Sequence, residues 1–271
     1  MIHVCYNVNS GIFNGLLLSI ASIAKRTTES VNIHILTMDL TSAEKRFTPI
    51  TQEQLDTIRT VIQKYNPLSR AEIIDCADLY LKYFSLNRNR KSFYTPYAML
   101  RLFLDLTPLD GNPEKVIYID ADTMCAKDIS ALWDIDISGY EFGASLDAAG
   151  KFWIDVDYCN SGVMLININR IKETGLFEKC RKRVATRTMF MPDQSALNDF
   201  AVKKLVLPRK FNEQRKMQPD TVIKHFCRVF KLFPYPHIVY VKQWEIDKVQ
   251  NVLQIRDFDD VYSDLENMGL L

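Results

Sequence analysis

Val116-Ile117-Tyr118-Ile119-Asp120-Ala121-Asp122-Thr123 is a short apolar run that ends on two carboxylates separated by one residue. The run predicts a buried β-strand, because consecutive apolar residues of this kind suit a sheet covered on both faces. Beyond the strand the side-chain alternation of a sheet no longer applies, so Asp120 and Asp122 can converge on one hard cation. A cation with open coordination positions stabilises the charge on a departing diphosphate. The stretch therefore predicts a metal site for a phosphate-containing substrate.

The same carboxylates admit a second interpretation. Asp122 or Thr123 would also suit the start of a helix near residues 127–133, where a side-chain oxygen accepts a backbone N–H. Triplets of the form Asp-x-Asp arise often by chance, so the stretch alone does not choose between a metal site and a cap.

Strands and helices alternate along the first part of the chain. Apolar runs predict strands at residues 2–7, 31–37 and 71–75, and helical spacing predicts helices at 13–24 and 51–65, the latter with a cap at its start. This alternation predicts an α/β fold with a mostly parallel sheet and helices on both faces. Ligands of such sheets gather at the carboxyl ends of the strands, which is where the Asp pair falls.

The middle and the end of the chain are less regular. The polar and basic stretch 80–95 is typical of a solvated loop, and its charges concentrate in Asn87–Lys91. A helix is predicted at 97–106 and a strand at 163–168. Residues after about 232 are expected to form an extension of the single main domain.

Composition narrows the function classes. The chain has 271 residues, of which 47% are hydrophobic and 25% charged, and its net charge is +1, which gives no reason to expect a nucleic-acid partner. Six cysteines without C-x-x-C pairing are typical of free thiols in a reducing compartment. The N-terminus lacks the pattern of a signal peptide, and no apolar run reaches the roughly 20 residues of a membrane span. We therefore expect a cytoplasmic protein.

Four further blocks follow the carboxylate pair in a fixed order. They are Gly143–Asp147, Tyr158–Asn167, Asp193–Asn198 and His225–Cys227. In this order and spacing the blocks resemble glycosyltransferase family 8, which includes bacterial lipopolysaccharide and capsule galactosyl- and glucosyltransferases and, more distantly, glycogenin. The resemblance covers about residues 1–231, and it implies a GT-A type nucleotide-sugar-binding fold with residues 232–271 as a C-terminal extension.

The resemblance also implies a metal site and a donor substrate. Asp120, Asp122 and His225 would hold Mn²⁺, with Mg²⁺ as the alternative, since an imidazole nitrogen favours Mn²⁺ over Mg²⁺. A lone histidine is more often structural, and only the family match makes His225 a ligand. The donor would be UDP-galactose or UDP-glucose, and its binding residues would be Asn7, Arg101, Ala121, Asn160, Ser161 and Lys231.

Catalysis is expected at Asp147, Asp193 and Gln194. The family match implies retention of configuration, by front-face attack or through a covalent intermediate. An amide is a poor nucleophile, so Gln194 favours front-face attack, with a β-phosphate oxygen accepting the proton of the acceptor hydroxyl. Asp193 follows Pro192 and would alternatively cap a helix.

Ordinary structural roles remain open for the other candidates. Arg101 and Lys231 would otherwise be surface charges, Asn160-Ser161-Gly162 a turn, and Asp147 a solvated loop residue. The chain also departs from the family: Arg228 replaces a common glycine, Leu232-Phe233-Pro234-Tyr235 replaces Pro-Trp, and Tyr6–Asn9 lacks an acidic residue for the base. Asn7 and Asn9 are the remaining candidates for uridine recognition.

The acceptor is expected to be a glycan of the cell surface, carried on a lipid. Residues 230–244 contain aromatic and basic side chains that would either contact the inner face of a membrane or form a packed hairpin. Two other classes stay open, namely an inactive nucleotide-sugar-binding protein and a metal-dependent phosphohydrolase. A hydrolase would release UDP from a UDP-sugar without an acceptor.

Overall fold

The computed structural model describes residues 1–85, 95–231, 235 and 237–271, with only the backbone at residues 230 and 231. The charge run Asn87–Lys91 lies outside these residues. The strands in chain order are β1 Ile2–Asn7, β2 Val31–Thr37, β3 Arg70–Asp75, β4 Lys115–Ile119, β5 Thr123–Cys125, β6 Phe142–Leu146, β7 Cys159–Asn167, β8 Lys204–Leu207, β9 Ile223–His225, β10 Val229–Lys231 and β11 His237–Val239.

The α-helices are α1 Phe13–Arg26, α2 Gln52–Tyr65, α3 Ala77–Phe84, α4 Ser130–Trp133, α5 Gly150–Trp153, α6 Ile168–Thr174, α7 Leu176–Thr186, α8 Pro192–Phe200, α9 Ile246–Asn251 and α10 Asp259–Asn267. Short 3₁₀ helices span Ser10–Ile12, Pro96–Phe103 and Arg209–Phe211. The described residues contain no helix that is both long and apolar enough to cross a membrane.

The predicted α/β architecture is confirmed. Seven strands form one sheet in the order β3-β2-β1-β4-β7-β6-β8, in which only β7 pairs antiparallel with its neighbours. The sheet is apolar on both faces: Ile117 and Ile119 of β4 join one core cluster, and Val116 and Tyr118 join the other. The uninterrupted apolar run of β4 reflects this double burial.

The sheet topology brings the candidate residues to one edge. The parallel strands β1 and β4 end there at Asn7 and Ile119, next to Asp120, and β6 ends there close to Asp147. Because β7 runs the other way, it begins at this edge with Cys159 and Asn160.

Several local predictions are confirmed and others are wrong. Thr51 caps α2 in a complete capping box with Gln54, as predicted. In the segment predicted as a helix at 97–106, a 3₁₀ helix spans Pro96–Phe103. A spacing of three residues between apolar side chains fits a 3₁₀ helix as well as an α-helix. The prediction of a loop from residue 80 is wrong for its first residues, because α3 continues to Phe84 and buries Tyr80 and Phe84.

The described part of the C-terminal extension shares the main core. Phe258, Val261 and Leu265 are buried in the same apolar cluster as β1 and α1. Lys25 Nζ lies 2.6 Å from Asp264 Oδ2, which adds an ion pair between α1 and α10. The first strand of the extension, β11, pairs antiparallel with β10. A domain boundary at residue 231 stays a prediction.

Candidate active site

The structure brings together the three predicted metal ligands. Asp120, Asp122 and His225 each offer a ligand atom within 4.8 Å of the other two. The approach of His225 follows from a two-stranded pairing in which Thr123 of β5 lies opposite His225 of β9, while Phe226 N–H donates to the Asp122 carbonyl at 2.8 Å. Two carboxylates and an imidazole are a donor set that suits Mn²⁺.

The alternative in which Asp122 or Thr123 starts a helix is wrong. Thr123 begins β5, and the short helix α4 begins only at Ser130, whose N–H donates to Asp128 Oδ1 at 2.8 Å. Pairing of β5 with β9 uses the backbone groups that a helix would need.

Asn212 orients the imidazole of His225. His225 Nδ1 lies 3.0 Å from Asn212 Oδ1, and Asn212 Nδ2 donates to Asn160 Oδ1 at 2.9 Å. Since the amide oxygen of Asn212 can only accept, it selects the tautomer with a proton on Nδ1. His225 Nε2 faces Asp122 Oδ1 at 3.2 Å, and in the neutral form of this tautomer its lone pair is available to a metal.

Gly162 in β7 leaves the space that the imidazole fills. A Cβ atom at this position would lie 2.3 Å from His225 Cε1 and 2.9 Å from Nδ1. Asn160, Ser161 and Gly162 are therefore part of a strand, and the alternative of an ordinary turn is wrong. Gly162 is not one of the glycines with a positive φ. Its role is therefore to leave room for the imidazole and not to permit a left-handed backbone.

Each carboxylate of the candidate metal site has a basic partner. Asp122 Oδ2 lies 2.5 Å from Lys242 Nζ, and Asp120 Oδ1 lies 2.9 Å from Arg101 Nη2. Burial alone would raise the pKa of Asp122, but His225 and Lys242 outweigh it and lower that pKa. At Asp120 the effect of burial exceeds that of the Arg101 charge, so the pKa of this carboxyl is raised.

Arg101 is buried and joins the predicted metal ligands to the predicted sugar cradle. Its Nε lies 3.2 Å from Asp193 Oδ2, its Nη1 donates to the Ser161 carbonyl, and its guanidinium carbon lies 4.1 Å from the centroid of the Tyr118 ring. The alternative of a surface charge is therefore wrong. The carboxylate of Asp193 in the first turn of α8 serves this ion pair rather than a helix cap.

The predicted sugar cradle is a hydrogen-bonded cluster. Asp147 Oδ2 accepts from Asn160 Nδ2 at 2.9 Å and from Gln194 Nε2 at 3.2 Å, and Gln194 Oε1 accepts from Ser161 N–H at 3.0 Å. Asp147 Oδ1 accepts from Gly150 N–H at 2.7 Å, so Asp147 is buried at the start of α5 and is not a solvated loop residue. Through Asn160 and Asn212 the cradle is continuous with His225.

Asn7 lies at the end of β1 and is 7% exposed. Among the described residues neither its side-chain oxygen nor its side-chain nitrogen has a hydrogen-bond partner. Burying an amide without a partner costs free energy, so such a group is a candidate for a ligand contact. A cavity of about 180 Å³ is lined by Ser10–Gly15 and Trp244, and Asn7 is not among its lining residues.

The remaining predicted residues have varied surroundings. The Ala121 carbonyl accepts from Gln243 Nε2 at 2.5 Å. Lys231 ends β10, and its side chain lies outside the described residues. Arg228 is exposed, with its guanidinium carbon 4.9 Å from the centroid of the Tyr240 ring.

Three site residues were not predicted as such from the sequence, namely Lys242, Asn212 and Gln243. Lys242 was grouped with side chains that would face a membrane, but it points inward to Asp122 and is 13% exposed. No local motif marks any of the three, because their partners lie far away in the chain. For Lys242 the signal in the sequence was the cluster of basic and aromatic residues after residue 230.

The fold defines the class of protein. The chain superposes on LgtC, a galactosyltransferase solved in complex with donor and acceptor sugar analogs, with a TM-score of 0.66 and 19% identity over 100% of both chains. An active-site mutant of LgtC gives a TM-score of 0.70 with 14% identity, covering 97% of this chain and 96% of that one. At these identities the likeness shows the fold, which is the GT-A fold of glycosyltransferases.

The sequence comparison then identifies the family. Residues 3–232 match the family model described as glycosyl transferase family 8, and the chain belongs to that family. A putative glycosyltransferase of Haemophilus influenzae is 31% identical over 176 residues, which are 60% of this chain and 48% of the relative. General stress protein A of Bacillus subtilis is 26% identical over 170 residues, 50% of this chain and 58% of the relative. The match thus spans about half the length of these relatives.

Proposed function

We propose that the protein is a metal-dependent retaining glycosyltransferase that moves a hexose, galactose or glucose, from a UDP-sugar to a glycan. The observation that carries this proposal is the Asp120, Asp122 and His225 cluster beside a buried polar cradle. When bound there, a divalent cation such as Mn²⁺ would neutralise negative charge on the diphosphate that leaves the sugar.

The residues around the cluster hold its geometry. Asn212 holds the imidazole of His225 with Nε2 towards Asp122, and Arg101 fixes Asp120 and Asp193 relative to one another. Arg101 keeps its positive charge, since Asp120 and Asp193 outweigh burial in setting the pKa of the guanidinium. We propose that Arg101 and Lys231 add positive charge beside the diphosphate. Such fixed charges act without reorganisation in a buried site.

The cradle supplies hydroxyl partners for a hexose. Asp147 and Asp193 offer acceptor oxygens, and Asn160 and Ser161 lie between them and the metal ligands. Gln194 is held at both ends of its amide, by Ser161 N–H and by Asp147 Oδ2. A neutral amide held in this way is suited to orient the sugar rather than to attack it. This supports front-face attack with proton transfer to a phosphate oxygen.

Asn7 is proposed to contact the uracil base. An amide presents one acceptor and two donors, which complement the N3–H and the carbonyl oxygens of uracil. The lack of a partner for Asn7 among the described residues supports this assignment. Ala121, Asn160 and Ser161 complete the proposed donor contacts.

The acceptor is proposed to be a lipid-linked cell-surface glycan, reached from the inner face of a membrane. Tyr235, Ile238 and Tyr240 of the C-terminal extension are exposed and would supply the membrane contact. The test is vesicle co-sedimentation of the intact chain and of a truncation at residue 231. Equal binding by both would remove the membrane role.

The test of the central proposal is a panel of UDP-sugars with Mn²⁺ or EDTA, with binding and UDP release as readouts. We expect Mn²⁺-dependent binding of one UDP-hexose, its loss in Asp122→Asn and its retention in Asp136→Asn, whose exposed carboxylate accepts from Ser138 N–H at 2.8 Å. Rapid UDP release without any acceptor would instead indicate a hydrolase. Binding without turnover on any acceptor would indicate an inactive sugar-nucleotide-binding protein.

A further inference from the structure

The C-terminal extension places an ammonium group against a metal-binding carboxylate. Lys242 Nζ lies 2.5 Å from Asp122 Oδ2 and donates to the Phe226 carbonyl at 3.2 Å. The ammonium also lies 4.6 Å from the centroid of the Tyr240 ring. A lysine this buried is rare unless it is paired, so Lys242 belongs to the site and is not a surface charge.

The backbone around Lys242 is fixed to the main domain. Lys242 N–H donates to Glu245 Oε2 at 2.9 Å. The next residue, Gln243, is fully buried and donates to the Ala121 carbonyl at 2.5 Å and to the Gly15 carbonyl at 3.2 Å. Tyr262 of α10 donates to the Gln243 carbonyl at 3.0 Å. The ammonium is therefore held at Asp122 by several independent contacts.

Lys242 offsets the charge of one carboxylate of the site before any ligand binds. Asp122 is paired with Lys242, whereas Asp120 shares Arg101 with Asp193. A divalent cation that arrives alone at Asp122 competes with the ammonium for the carboxylate and is repelled by it. A nucleotide diphosphate that arrives with the cation supplies negative charge that offsets the ammonium.

We infer that Lys242 makes metal binding depend on the diphosphate: the free protein binds Mn²⁺ weakly, and Mn²⁺ and UDP bind cooperatively. This inference rests on the proposed function, because it takes a uridine diphosphate as the ligand. Coupling between two ligands is reciprocal, so UDP raises the affinity for Mn²⁺ by the same factor by which Mn²⁺ raises the affinity for UDP.

The experiment is calorimetric titration of the full chain with MnCl₂, with and without saturating UDP, and of UDP with and without Mn²⁺. Lys242→Met keeps the length of the side chain and removes its charge. We expect this variant to bind Mn²⁺ alone at least about tenfold more tightly than the unmodified protein does. The factor by which UDP raises its Mn²⁺ affinity should be smaller by a similar amount. Lys242→Arg should retain the original behaviour because it keeps the charge.

Lys248→Met is the matched control. Lys248 is exposed and pairs with Glu245 at 2.5 Å, so the variant has the same change in net charge outside the site. Its Mn²⁺ affinity should equal that of the unmodified protein. Thermal unfolding verifies that each variant is folded, and Lys242→Gln replaces Lys242→Met if the latter does not fold.

The outcomes distinguish a failure of the Lys242 inference from a failure of the proposed function. If the protein binds Mn²⁺ with UDP but Lys242→Met binds Mn²⁺ alone no better than before, the inference is overturned and the proposed function stands. An equal gain in Lys248→Met would also overturn it, because net charge alone would then explain the effect. If UDP does not bind under any condition, the proposed function fails together with the inference.

Discussion

Replacement of Gly162 by alanine tests how His225 is held. In Gly162→Ala the new methyl would lie 2.3 Å from His225 Cε1, whereas ordinary contact begins at 3.4 Å. The methyl stands on β7, which is hydrogen-bonded on both sides, so the imidazole must move by about 1 Å. A metal ligand tolerates displacements of only about 0.2 Å, and His225 would therefore be lost as a ligand.

The expected effect is large on metal binding and moderate on stability. We expect Mn²⁺ affinity in the presence of UDP to fall by at least about 10- to 100-fold, which is the usual effect of disturbing the partners of a metal ligand. The free energy of unfolding should fall by about 1–3 kcal/mol, as for other overpacked sites. Calorimetry and denaturant unfolding measure the two quantities.

The control is Gly143→Ala in the neighbouring strand β6. The three heavy atoms nearest to its new methyl all belong to the Leu207 side chain, the closest at 3.1 Å. It should leave Mn²⁺ binding unchanged. If Gly162→Ala binds Mn²⁺ as tightly as the unmodified protein, the assignment of His225 as a metal ligand would be refuted.

Three further predictions address other parts of the molecule. Asn7→Leu should weaken UDP binding at least about tenfold in calorimetry without loss of stability, because the buried amide lacks a partner among the described residues; unchanged UDP affinity would exclude Asn7 from base recognition. Asn212→Leu should weaken Mn²⁺ binding about 10- to 100-fold, since it removes the acceptor for His225 Nδ1, and an unchanged affinity would argue against His225 as a ligand. Burial and the facing His34 lower the pKa of His3 from 6.5 to about 4. As the pH falls, His3 is therefore protonated in the unfolded chain before it is protonated in the folded protein. The free energy of unfolding should be highest above pH 6.5 and should decrease towards pH 4. Urea unfolding across this range should show a smaller decline for His3→Gln, and an equal decline would contradict the argument.

The sequence by itself determined the class of fold and the position of the carboxylate pair. The apolar run at 116–119 predicted a strand buried on both faces, and the structure places it near the middle of the sheet as β4. The cap at Thr51 and the alternation of strands and helices were also readable, because each depends on residues close together in the chain. The family blocks predicted which residues meet at the strand ends.

Only the tertiary structure decided how those residues contact one another. His225 reaches Asp122 through β5 and β9, two strands of three residues each that are too short for a recognisable pattern. Asn212 and Lys242 contact the site across long separations in the chain, so no local spacing marks them. Periodicity records which face of an element is buried, whereas a contact between distant side chains depends on how the elements pack. For this reason the charge balance at Asp122 becomes visible only once the C-terminal extension is folded against the sheet.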